Sequence, residues 1–413
     1  MSAVVKTIRE VSVGVYDGPH ATPELHDEGA AVFLGIPNLL PDGRIDVTAA
    51  RWVAERDLSK WTRRVTPQAN DIVFTYEATL NRYAIIPDEF RCCLGRRTAL
   101  IRPDPSQIDH RFLFYYFFSP RWRAQIEANT LTGATVDRIP LTTFPDFEVL
   151  VPALQEQRRI AEVLAAYDDL IATNQRRIAL LEDAARRLYR EWFVHLRFPG
   201  HESVPVKDGV PAGWSTQKLS SIADVNKRSI GAKDRPDSIL YIDISSVTPG
   251  LIGAVTPFAF ANAPGRARRR VGHGDVIWSC VRPNRRSYAL IWEPNEKLVA
   301  STGFAVLSAS HVPFSYLYFA TTTDDFVGYL EQNATGAAYP AVIAKTFEDA
   351  DILVPDSSSL ESFDRLVLPM LENTETLKAQ NISLARARDL LLPRLMSGQL
   401  DVSSIRLPEE VAA

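Results

Sequence analysis

The chain states one pattern twice, and that repeat constrains its architecture more than any other feature of the sequence. Thr132 opens TGATVDRIPLTTFPDFEVLVP and Thr335 opens TGAAYPAVIAKTFEDADILVP, with Gly133 and Gly336, Phe144 and Phe347, and Pro152 and Pro355 all 203 residues apart. Upstream, FLFYYFF at Phe112 falls on SYLYFA at Ser315, and DIVFTY at Asp71 falls on DVIWSC at Asp275 at an offset of 204. Downstream, Leu181 falls on Leu384 and Leu188 on Leu391. The 413 residues suffice for two or three domains of about 150 residues each. A period of this size is a domain plus a helix, used twice.

After each LVP segment the periodicity turns helical. Ile160, Leu164, Tyr167, Ile171, Asn174, Ile178, Leu181, Ala185, Leu188 and Trp192 are spaced four and three throughout, an a/d heptad that implies a seam packed on another helix. From about Leu154 to Leu196 such a helix would be about 65 Å long. The second stripe runs Phe363, Val367, Met370, Thr374, Leu377, Asn381, Leu384, Arg388, Leu391 and Leu395 and is less regular. Pro369 is expected to kink or delay this helix and Pro393 to limit its end. Two unrelated core helices would also give two apolar stripes. Their length and matching positions favour helices that pair with each other, with Asn174 as a polar register-setting residue in the seam. FPGHESVPVKDGVPAGW, from Phe198, is rich in Pro and Gly and reads as a linker. Short Val/Ile/Phe/Tyr runs mixed with turns and at least one apolar helix make each globular copy α+β. The expected layout is a first domain at 1–152, a long helix at 153–199, a second domain at 200–355, a long helix at 356–402 and a tail at 403–413.

Composition removes several classes of function. With 46% hydrophobic and 23% charged residues the chain is of ordinary globular type. Its longest apolar run, the seven residues Phe112 to Phe118, falls far short of the roughly 20 needed to span a bilayer. Residues 1–10 do not read as a secretion signal. Cys92, Cys93 and Cys280 form no CxxC and no disulfide framework, so a reducing cytoplasm is the expected compartment. The sequence has no GxxxxGK[ST], no GxGxxG, no HExxH, no G-x-S-x-G and no Asn-Pro-Pro-aromatic loop. None of the seven histidines has a Cys or second His at metal-ligand spacing. The expectation is therefore no catalytic centre, no metal, and a binding protein or assembly subunit.

The net charge of −4 and pI near 6.0 lack the basic surplus usual in nucleic-acid binding. Locally the picture differs, because arginines cluster within nearly neutral segments. Residues 1–152 carry 17 basic and 19 acidic groups, and residues 200–355 carry 15 of each. One cluster holds Arg63, Arg64, Tyr76, Asn81, Arg82, Arg96 and Arg97. The other holds Arg266, Arg268, Arg269, Arg270, Arg282, Asn284, Arg285, Arg286 and Tyr288. Arg reads guanine and clamps phosphate, Asn reads adenine, and Tyr packs on sugar or base. A solvated charged face would explain either cluster alone. Their occurrence in both repeats favours two DNA-reading surfaces.

Four segments carry a resemblance to a known family. VYDGPHATPELHDEGAAVFLGIPNL from Val15 and GWSTQKLSSIADV from Gly213 look like the openings of target recognition domains. LVPALQEQRRIAEVLAAYDDLI from Leu150 and LLLPRLMSGQLDV from Leu390 are similar to the central and distal conserved helices. In this order they resemble the specificity subunit of type I restriction-modification systems across nearly the whole chain. Arg388 at a seam position and Pro369 within the second helix depart from the pattern. The resemblance implies a non-catalytic subunit that binds a bipartite site on double-stranded DNA through two target recognition domains. Its two long helices would pair as an antiparallel coiled coil and present surfaces to two methylation subunits. Seam and partner contacts would come from Ile160, Leu164, Tyr167, Ile171, Asn174, Ile178, Leu181, Leu188, Leu377, Leu384 and Leu391. The partners, with restriction subunits added, would supply S-adenosylmethionine, ATP and Mg, and this chain none. A fused enzyme and a duplicated protein-binding scaffold without DNA specificity are the alternatives.

Overall fold

The structure, a computed structural model, describes residues 3–133, 135–231, 233–234, 236–402 and 405. Of the tail expected at 403–413, all but Ile405 lies outside the described residues. The chain forms two compact units, Met1–Thr173 with Gln380–Ala413, and Asn174–Ala379. Each unit therefore takes part of each long helix.

The first long helix, Leu154–Tyr189, continues through a π-helical turn, Arg190–Val194, that buries Trp192 and Phe193. None of its heptad positions from Ile160 to Leu188 is exposed, whereas Arg176, Arg177, Asp183 and Arg187 are. That is the division an a/d stripe dictates. The second long helix spans Ser357–Met396. Its stripe from Phe363 to Leu395, Arg388 included, is likewise covered. One expectation is corrected here, because the helix runs unbroken through Pro369 and reaches three residues past Pro393. Proline removes the N–H that would serve the carbonyl four residues back. Arg365, Leu366 and Pro369 are all exposed, so water can take that carbonyl and the helix continues.

In the first unit the main sheet orders Ser12–Asp17, Thr98–Pro103, Ile72–Thr75 and Tyr83–Ile85, all antiparallel. A second sheet sets Ala31–Leu34 antiparallel to Trp52–Val53 and parallel to Cys92–Leu94. Val4–Thr7 pairs with Glu148–Val151. The apolar run forms a helix, His110–Tyr116, whose N-terminus is capped by the Asp109 side chain. Its Phe112 to Phe117 share a core with Ile160, Ala161, Val163 and Leu164 of the first long helix and Leu392, Leu395 and Met396 of the second.

In the second unit the main sheet orders Ala223–Val225, Phe304–Ala309, Val276–Ser279 and Tyr288–Leu290, again antiparallel. Ser238–Ile242 pairs antiparallel with Thr256–Ala259 and parallel with Leu298–Ser301, and Ala267–Arg270 adds a further edge strand. Ser215–Lys218 pairs with Asp351–Val354. Tyr316 to Ala320 of the helix Phe314–Ala320 are buried with Ala185, Tyr189, Trp192 and Phe193 of the first long helix and Leu360, Phe363, Val367 and Leu371 of the second. Among the described residues no helix is long and apolar enough to cross a membrane.

Candidate nucleic-acid interface

The described residues of both TGA segments lie in loops, and in each unit the loop is tied to the turn that follows a central strand of the main sheet. In the first unit Ala78 N–H donates to Asp137 O (2.8 Å) and Ile139 N–H to Tyr76 O (2.8 Å), while Leu131 and Arg138 exchange hydrogen bonds. In the second, Arg282 N–H donates to Pro340 O (2.7 Å) and Val342 N–H to Cys280 O (2.9 Å), while Thr335 and Ala341 exchange hydrogen bonds. Gly133 and Gly336 lie at φ +91° and +99°, where a side chain would be strained. The backbone reason for the repeated glycine is thus a tight loop held at a sheet end.

The turns themselves are strained. Ala78 and Asn81 in one unit, and Arg282 and Arg286 in the other, have positive φ without being glycine. Such conformations cost on the order of 1–3 kcal/mol each and concentrate at functional sites.

The arginines fall into two groups. Several are occupied within the fold. Arg266 pairs with Asp243 (2.8 Å) and also donates to the Tyr241 hydroxyl. Arg270 pairs with Asp234, Arg286 with Asp324 (2.6 Å), Arg64 with Asp17 and Arg97 with Glu77 (3.5 Å). Arg268 lies over the Phe260 ring at 5.0 Å. Arg269 is half-buried with its Nε enclosed, and Arg82 likewise encloses Nη1. Arg63, Arg96, Asn284 and Arg285 are exposed. Arg282 is half-buried over the ring of Tyr339, its Cζ 4.5 Å from the ring centroid. The second cluster is therefore not one surface: Ala267–Arg270 is an edge strand of the second sheet, while residues 282–286 turn at the end of the main sheet.

Two expected contact residues are corrected. Tyr76 and Tyr288 are only 6% and 4% exposed and belong to the cores of their units. Tyr288 also accepts a hydrogen bond from Arg186 (3.3 Å). Tyr76 directly follows the central strand Ile72–Thr75 and Tyr288 opens the outer strand Tyr288–Leu290, and both rings pack into the core. Sequence reasoning missed Tyr339 and Ile343, which are 69% and 68% exposed, along with exposed Leu131 and Arg138. The signal was present, since all four lie in or beside the repeated TGA segments.

The helix contacts are polar as well as apolar. In the first unit Asp168 accepts from Tyr115 Oη (2.7 Å) and from Arg388, and Asn381 Nδ2 donates to Ile171 O (3.4 Å). In the second, Lys378 lies 3.8 Å from Glu182. Asn174 and Thr374 are buried polar positions of the two stripes. Burial pushes the Cys93 thiol up to about 12 and Cys280 to about 11, which removes thiolate reactivity near neutral pH. Among the described residues no three His, Cys, Asp or Glu side chains gather as a metal site requires.

Two sheet-based units, each sharing a core with both long helices, each carry a loop pair with non-glycine residues at positive φ. Residues 38–183 match the family model of the type I restriction modification DNA specificity domain. The chain is 22% identical over 364 residues to the type I restriction enzyme MjaIX specificity subunit of Methanocaldococcus jannaschii, covering 86% of this chain and 83% of that protein. It is 19% identical over 386 residues to the HindI specificity subunit of Haemophilus influenzae, covering 77% of this chain and 84% of the other. The crystal structure of a type I restriction-modification S subunit from M. genitalium has the same fold, with a TM-score of 0.56, 15% identity and 96% coverage of both chains. The resemblance carried by the four sequence segments is borne out by these comparisons: the chain is similar to type I specificity subunits.

Proposed function

We propose that this chain selects the DNA sequence on which a type I restriction-modification complex acts. It reads a bipartite duplex site, one half with residues 1–152 and the other with 200–355. The observation that carries this reading is the loop pair built twice with the same backbone hydrogen bonds and different side chains. The matching strand orders of the two main sheets support it as well. Arg63, Arg64, Asn81, Arg82, Arg96 and Arg97 serve one half-site. Arg282, Asn284, Arg285 and Arg286 serve the other, with Arg266 to Arg270 along an edge.

The helices at 153–199 and 356–402 pair as an antiparallel coiled coil that spaces the half-sites and offers its outer faces to two methylation subunits. The Asp168–Arg388 ion pair and the covered heptad positions support that pairing. The chain performs no catalysis. S-adenosylmethionine, ATP and Mg belong to the methylation and restriction partners, which methylate adenine and cut unmethylated DNA in the cytoplasm.

The test is to map methylated adenines across the genome with and without this gene. A bipartite methylated motif that vanishes on deletion is the expected result. Unchanged methylation would leave the duplicated protein-binding scaffold in its place, and that alternative also predicts DNA affinity indifferent to salt.

A further inference from the structure

Tyr339 is the one exposed aromatic side chain among the described residues. It stands on the repeated loop between Gly336 and Pro340, and its ring is covered on one face by the Arg282 guanidinium. Arg282 Nη2 also donates to Ala338 O (3.3 Å), so the pair is fixed to the loop's backbone by its own side chain as well as by the Arg282 N–H to Pro340 O bond. Arg282 and Arg286, both in the left-handed region, bracket the turn Pro283–Arg285. Strain of this kind persists only where the surroundings over-determine it.

Charge separates Arg282 and Arg285 from the ion-paired arginines of the unit, Arg286 of the same turn included. Arg266, Arg270 and Arg286 each have a carboxylate within 4 Å, whereas Arg282 and Arg285 have none among the described residues. A guanidinium already fixed over a tyrosine ring loses little freedom on binding. It keeps most of its N–H groups for phosphate oxygens or for the O6 and N7 edge of guanine. The tyrosine edge beside it offers a flat apolar face to a thymine methyl or a sugar.

We infer that Arg282 and Tyr339 act together as a preassembled reading element that sets which base pairs the second unit accepts. The inference rests on the DNA-reading function proposed above and adds specificity-determining residues to it. At the same places the first unit has Ala78 and Val136, 204 and 203 residues earlier. The two half-sites are thus read by unlike chemistry on like scaffolds.

The test uses the full chain in complex with its methylation subunits, incubated with a randomised duplex library from which methylated sequences are recovered. Wild type should select a bipartite sequence. Arg282→Ala and Tyr339→Val, the side chains of the first unit, should relax one or two adjacent base pairs in one half-site by roughly 5- to 100-fold in discrimination. The other half-site should stay unchanged, and Tyr339→Phe should retain the wild-type preference. If wild type selects no bipartite sequence, the proposed function fails. If wild type selects one and both variants select the same sequence, or lose both halves equally, the reading element is wrong while the function stands.

Discussion

The two units solve one backbone problem identically and two side-chain problems differently. Both tie the TGA loop to the neighbouring turn with the same backbone hydrogen bonds, yet one displays Ala78 and Val136 and the other Arg282 and Tyr339. The same contrast recurs inside the fold. Asp71 and Asp275, at matching positions before a central strand, are each almost fully buried and each held by an arginine. Arg102 reaches Asp71 with two hydrogen bonds from the strand Thr98–Pro103, whereas Arg228 reaches Asp275 from just beyond Ala223–Val225. The acid and the frame are common to both units, and the base comes from different places in each. Positions that hold backbone are shared between the units, and positions that touch from outside are free to differ.

The largest expected effect tests that equivalence. Hydrogen bonds to a charged group contribute about 1.5–3 kcal/mol each and each buried carboxylate accepts several, so Asp71→Ala should destabilise the first unit and Asp275→Ala the second. Asp71 also accepts from Gln68 N–H (2.8 Å), and Asp275 from Gly272 N–H and Ser308 Oγ, both at 2.6 Å, so each loss strands three donors. Hydrogen exchange read peptide by peptide would show protection lost in one unit and kept in the other. Equal loss in both units from either substitution would mean that they do not unfold as separate bodies.

A smaller effect separates the units at a shared tyrosine. Tyr115 and Tyr318, 203 residues apart, are both buried against a long helix. Tyr115 donates its hydroxyl proton to Asp168, which in turn holds Arg388. Tyr318 instead presents its ring to Arg186 at 5.8 Å, alongside Tyr288 at 5.9 Å and Phe319 at 5.6 Å. The residue opposite in register to Asp168 is Leu371, and among the described residues no carboxylate accepts from the Tyr318 hydroxyl, although Glu182 and Glu375 lie near it. Tyr115→Phe should cost about 1.5–3 kcal/mol for a hydrogen bond to a charged group. Tyr318→Phe keeps the cation–π contact and should cost well under about 1 kcal/mol. Denaturant midpoints for the two variants would measure the asymmetry, and equal shifts would sink it.

These comparisons also mark how far the sequence could be read. The repeat and the two heptad stripes were legible because each is periodic or local, and the first stripe is covered at every position from Ile160 to Leu188 and the second from Phe363 to Leu395. Asp71 and Asp275 were visible as a repeated letter, but their arginines were not, since Arg102 and Arg228 meet them only through strand pairing. The arginine clusters were legible as composition and misleading as a surface. Arg266 and Arg270 spend their charge on Asp243 and Asp234, which lie far away in sequence. Tyr76 and Tyr288 were misassigned because a tyrosine beside an arginine carries no sign of which face of a strand it occupies. Tyr339 was overlooked although it sits inside the most conspicuous repeated segment, because its partner Arg282 is 57 residues upstream.

The smallest effect concerns how each long helix begins. Asp356 precedes the second helix and accepts from Ser359 N–H (3.0 Å) and Oγ (2.9 Å) and from Trp214 Nε1 (2.8 Å). Burial alone would raise its carboxyl, but these hydrogen bonds outweigh it and hold the group below the usual carboxylate range. The matching residue before the first helix is Ala153, which offers only its carbonyl, to Glu156 N–H and Gln157 N–H. Asp356→Ala should cost about 1 kcal/mol as a lost cap, and Ala153→Asp should add about 0.5–1 kcal/mol, with Glu156 already at the third helical position. The sign with pH follows from the lowered carboxyl. The contribution of Asp356 is fully present above the pKa of the unfolded carboxyl and is lost as pH falls through the lower folded value. Denaturant titrations of wild type and Asp356→Ala should therefore differ at neutral pH and converge in acid, whereas a gap independent of pH would assign the effect to packing against Trp214 instead of to the charge.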